Sequence, residues 1–153
     1  MVRALCNHTG HLITWIKHNK GKEWLGKSGE RNPIVVEDRT FEIGPSDWKL
    51  QPPCTFIQDL SVDFSLSNRL FAGTNDEITI AIGPMLKPKV LARHPDRGFH
   101  TTLNLNLTES FGSPVVQLNT LQKISLNDIS GTDYFAGDWW KFKGMLLCCA
   151  NDD

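Results

Sequence analysis

Leu60, Val62, Phe64 and Leu66 share one side of an extended stretch whose other side is Ser61, Asp63 and Ser65. Successive side chains of a strand point to opposite faces, so this alternation predicts a strand with one buried face and one wet face. The same period returns at Ile78, Ile80 and Ile82, interleaved with Thr79 and Ala81, and at Leu103, Leu105 and Leu107, interleaved with Asn104 and Asn106. It returns again across Leu121-Gln122-Lys123-Ile124-Ser125-Leu126. Lys89-Val90-Leu91-Ala92, Val115-Val116-Gln117-Leu118 and Met145-Leu146-Leu147-Cys148 read as further strands, with Gly, Pro and Asn between them. Apolar spacing of three and four is not sustained over any window of about 11 residues, so no helix is predicted. Short strands with turn residues between them predict an all-β, antiparallel two-sheet sandwich.

Residues 54–153 carry this regular pattern, and residues 1–53 read as an N-terminal β extension packed on the same domain. Leu12-Ile13-Thr14-Trp15-Ile16, Ile34-Val35-Val36 and Phe41-Glu42-Ile43 are its candidate strands. Gly44-Pro45-Ser46-Asp47 and Gln51-Pro52-Pro53 mark the joint. The extension is expected to add strands or cover an edge, because an open apolar edge invites aggregation. A chain of 153 residues suits one domain, and 40% hydrophobic content fills a core without help from disulfides.

Sixteen basic residues against seventeen acidic ones leave a formal charge of −1, so no global field draws the chain to nucleic acid. The five histidines are scattered. Cys6, Cys54, Cys148 and Cys149 show no zinc spacing, and reduced structural thiols are expected. The first residues lack the apolar run of roughly 7–15 that a signal peptide needs, and no segment reaches the roughly 18 of a membrane span. A cytoplasmic location without a transmembrane segment is therefore expected.

Residues 54 to about 149 resemble the PLAT domain, the β-sandwich of lipoxygenases, pancreatic-type lipases and the clostridial alpha-toxin. The alternating strand from Phe56 to Leu66 leads into Ala72-Gly73-Thr74-Asn75-Asp76 and then Ile78-Thr79-Ile80. Arg97-Gly98 precedes the Leu103–Leu105 strand, and Phe111-Gly112 precedes Leu121-Gln122-Lys123-Ile124-Ser125-Leu126-Asn127-Asp128. Trp140, Phe142, Met145 and Leu147 resemble the closing strand. Two departures stand out: Asn75 occupies the usual Asp position, displacing the acid to Asp76, and Thr101 stands where an acid follows Arg-Gly. The resemblance implies an interaction module that binds a lipid surface, a small apolar ligand or a protein partner, optionally assisted by Ca2+ and with no organic cofactor.

The site candidates follow from residue chemistry. Gly73, Thr74, Asn75, Asp76 and Glu77 form an oxygen-rich turn for a metal ion, with Asp128 or Asp138 as further donors; calcium needs roughly six to eight oxygens. A turn in which Asn75 or Asp76 caps its own backbone is the competing reading. Trp139, Trp140, Trp48 and Trp24 are candidate ligand-binding side chains, since an amphipathic ring near a turn suits an interface. Lys17-His18-Asn19-Lys20-Gly21-Lys22 reads as a solvated basic turn. For catalysis the candidates are Asp63, His94, His100 and Asp138, acting as general acid and base in a tryptophan-lined pocket of a small cofactor-free cyclase or isomerase. No Gly-x-Ser-x-Gly, His-Glu-x-x-His, P-loop or dinucleotide motif occurs, which counts against the common hydrolases and NTPases but not against a rare lyase. The interaction module is the leading expectation and the small enzyme its alternative.

Overall fold

The structure, a computed structural model, describes residues 2–6, 12–18, 35–44, 55–129, 140 and 142–148, with side chains described for 40–44, 55–129, 140, 143 and 145. In chain order the elements are β1 (Val2–Cys6), β2 (Leu12–His18), β3 (Val35–Glu42), β4 (Phe56–Leu66), β5 (Glu77–Ile82), β6 (Lys89–Arg93) and β7 (His100–Leu105). A short helix α1 (Leu107–Phe111), then β8 (Val116–Gln117), β9 (Lys123–Ile129) and β10 (Phe142–Cys148) complete them. The protein is an all-β sandwich of two sheets. One runs β2-β1-β10-β4-β7 with β8 also on β4, and the other runs β3-β9-β5-β6. Among the described strands every pairing is antiparallel except a single parallel contact of Val2 with Leu147.

The alternation builds the core. Val62 and Phe64 of β4, Ile78, Ile80 and Ile82 of β5, and Ile124 and Leu126 of β9 are all fully buried and belong to one apolar cluster. Each such side chain contributes about 1.5–3 kcal/mol by leaving water, which is why the inward set cannot slip by one residue. Strands from the first 53 residues enter both sheets: β1 pairs with β2 and β4, and β3 pairs along β9.

Three local expectations need correction. Ile34-Val35-Val36 and Phe41-Glu42-Ile43 are not separate strands, because β3 runs from Val35 to Glu42 through a register shift between Glu37 and Arg39. The strand β1 was not anticipated: it is short, but β2 on one side and β4 on the other hold it extended. The third correction is the helix α1, where none was predicted. Leu107 continues the alternation of Leu103 and Leu105 but is the first residue of α1 and points into the core from there. Asn106 accepts the Glu109 N–H on its side chain, and Gly112 closes the helix at φ 78°. Five helical residues are too few to register as a 3.6 period, yet Asn106…Glu109 is the spacing of an N-terminal capping box and was a readable signal.

Candidate functional site

Two loops meet at the end of the sandwich where β4 finishes and β5 begins. Residues 67–76 link β4 to β5, and residues 94–99 link β6 to β7. Backbone hydrogen bonds fasten the loops to each other. Thr74 N–H donates to Pro95 O at 3.0 Å, His94 N–H to Asp76 O at 3.1 Å, and Gly98 N–H to Ser67 O at 2.9 Å. Gly73 is required here by space, because a Cβ would stand 2.6 Å from Pro95 O and 2.9 Å from Arg97 N. The Gly-Thr-Asn-Asp turn is thus the half of a two-loop clamp that approaches a second backbone most closely.

Within the turn, Thr74 Oγ1 donates to Asp76 Oδ2 and accepts from Asp76 N–H, both at 3.1 Å. Asp76 and Thr74 are buried, while Asn75 is exposed. Glu77 pairs across the strands with Arg93, whose Nε lies 2.6 Å from Glu77 Oε2. Asp128 is buried on β9 opposite Ile78. These placements do not gather the acidic side chains of the described residues into one cluster. Asp76 is turned inward onto Thr74, Glu77 is held by a guanidinium, and among the described residues no group of three or more His, Cys, Asp or Glu side chains could hold a metal ion. Within the turn it is the Thr74 hydroxyl that caps a backbone group, the Asp76 N–H, whereas sequence chemistry points to Asn75 or Asp76 as the capping residue.

Above the clamp stand two apolar side chains that the sequence did not single out. Leu70 is 66% exposed and Phe71 is 81% exposed. Phe71 takes φ 62° and His94 φ 47°, the left-handed region that costs a non-glycine residue about 1–2 kcal/mol. The clamp therefore holds Phe71 outward in a conformation the residue would not choose in a free chain. Arg69, His94 and Arg97 are exposed on the same two loops, with Asp96 as the counter-charge.

The other candidates disperse. Trp140 is not a rim residue: it is fully buried, edge-on to Phe64 with ring centroids 6.2 Å apart and planes at 61°, and offers no face to a ligand. Trp24, Trp48, Trp139 and Asp138 lie outside the described residues, as do Cys54 and Cys149. Asp63 and His100 share the outer face of the first sheet; Thr102 donates a hydrogen bond to Asp63, which fixes that register. His94 sits in the clamp loop, on an exposed end rather than in a pocket with Asp63 or His100. No helix among the described residues is long and apolar enough to cross a membrane.

Comparison with models of known families finds no match for this chain, and comparison with curated proteins finds none either.

Proposed function

We propose that this chain is a non-enzymatic interaction module that docks on a lipid surface through the end bearing loops 67–76 and 94–99. One observation carries the reading: Leu70 and Phe71 are displayed side by side, largely exposed, on a loop pinned in a strained backbone state. Exposed large apolar residues on a rigid loop are what an apolar partner phase rewards. Transfer of both into hydrocarbon is worth about 3–6 kcal/mol from area alone, enough for reversible docking. Arg69 and Arg97 beside them add about 1 kcal/mol each near an anionic headgroup layer. The PLAT resemblance supports the same use of a loop end. A protein with an apolar pocket for Leu70 and Phe71 is the competing partner.

Co-sedimentation with phosphatidylcholine vesicles containing phosphatidylserine tests this. The intact chain is expected to pellet with vesicles and the Leu70→Ser/Phe71→Ser variant to stay in the supernatant. Equal pelleting by both chains would refute the reading. Parallel samples with calcium and with chelator separate direct docking from calcium-assisted docking.

A further inference from the structure

The opposite end of the sandwich holds a second site of different chemistry. At Ile57 the edge of β4 pairs with Val116 of β8, and at Leu60 it pairs with Leu105 of β7. On its other edge, the register with β1 slips between Leu5 opposite Asp59 and Cys6 opposite Ile57. The extra residue breaks the alternation, so Gln58 and Asp59 are both exposed between buried Ile57 and Leu60. A bulge of this kind re-aims side chains, and here it does so where β4 changes partners. The result is a groove of about 430 Å3 lined by Gln58, Asp59, Asn104, Asn106, Thr108 and Pro114, with Leu105 and Leu107 along its floor. The groove is wide open to solvent, so it suits an extended ligand lying along the surface rather than an enclosed one.

We propose that this groove binds a neutral oligosaccharide. The polar atoms facing it are side-chain amides, one carboxylate and one hydroxyl, a set that both donates and accepts as sugar hydroxyls do. Among the described residues, the Gln58, Asp59, Asn104 and Thr108 side chains have no hydrogen bond or ion pair within the protein, so their capacity is uncommitted. Asn106 spends its Oδ1 on the Glu109 N–H at 3.1 Å and keeps its NH2 group as a donor. Anionic ligands are disfavoured, because among the described residues no Lys, Arg or His lines the groove and Asp59 would repel them. A cation would find one carboxylate, far from the oxygen count that calcium needs. The exposed ring of Pro114 supplies an apolar wall for the C–H face of a pyranose.

The experiment is a titration of the 15N-labelled full chain with a panel of neutral trisaccharides: cellotriose, maltotriose, xylotriose, mannotriose and N,N′,N″-triacetylchitotriose. At least one is expected to shift amide signals of 58–59 and 104–108 and leave those of 69–71 in place. Asp59→Ala and Asn104→Ala, both at exposed positions, are each expected to weaken that binding at least tenfold at an unchanged melting temperature. Trigalacturonate is expected to bind more weakly than its neutral counterparts. Silence from the whole panel, shifts centred elsewhere, or binding that survives both substitutions would overturn the proposal. Because vesicle docking is read at Leu70 and Phe71, failure of either proposal leaves the other standing.

Discussion

The two ends of the sandwich differ in how they are built, although each displays an apolar side chain: Leu70 and Phe71 at one, and Leu86, 65% exposed between β5 and β6, at the other. At one end, backbone hydrogen bonds between 67–76 and 94–99 hold Leu70 and Phe71 outward at a conformational cost. At the other, a one-residue slip in β4 and a short capped helix leave a groove of amides and a carboxylate over a sealed core. The first end is apolar and cationic at its tip; the groove at the second is polar and, among the described residues, carries no cation. The same two sheets thus support two recognition chemistries because the ends differ in what the backbone does between strands. At the first end two loops brace each other, and at the second a strand changes partners.

The sharpest test of where the first end stops being surface is Trp140→Ala. As a core ring packed on Phe64, its loss is expected to cost about 3–5 kcal/mol in chemical denaturation. A loss below about 0.5 kcal/mol, with reduced vesicle binding, would make it a rim residue after all.

A pair of glycines compares the ends directly. Gly73→Ala drives a Cβ into the Pro95 and Arg97 backbone and is expected to cost about 2–3 kcal/mol, with weakened vesicle docking as the two loops part. Gly112→Ala at the other end meets nothing nearer than 4.0 Å and is expected to cost about 1–2 kcal/mol, from φ +78° alone, with docking unchanged. Equal costs in thermal melts would show that the clamp is no tighter than an ordinary helix cap.

The smallest expected effect is the most telling. Phe71→Gly relieves a left-handed backbone but adds freedom to the unfolded chain. Its net effect on stability is expected to be a gain of less than about 1 kcal/mol. The same change is expected to abolish vesicle docking. A large loss of stability instead would mean that the Phe71 ring supports the loop rather than the interaction.

How much of this was legible in the chain varies with distance along it. The inward face of β4, from Leu60 to Leu66, and that of β5, from Ile78 to Ile82, were readable because a period of two is a local property of an extended backbone. The turn at 73–77 was readable as a turn, and its competing reading as a metal site depended on which way Asp76 and Glu77 point. That direction is decided by Thr74 two residues away and by Arg93 on the neighbouring strand. The sequence alone could not place Trp140 inside or outside; it is buried because Phe64, far away in the chain, packs against it. Leu70 and Phe71 resembled any apolar pair before a glycine, and only the approach of 94–99 marks them as displayed.

By itself the sequence determined a mostly β chain, the inward sets of β4 and β5 and the turn at 73–76, since these rest on periodicity and on residue-level backbone preference. Tertiary structure decided that the first strands of the chain join both sheets, that Gly73 must lack a side chain, that Phe71 stands out and Trp140 lies in, and that Gln58 and Asp59 open into a groove. Each of those outcomes depends on contacts between segments far apart in the chain, and no local pattern encodes which segments will meet.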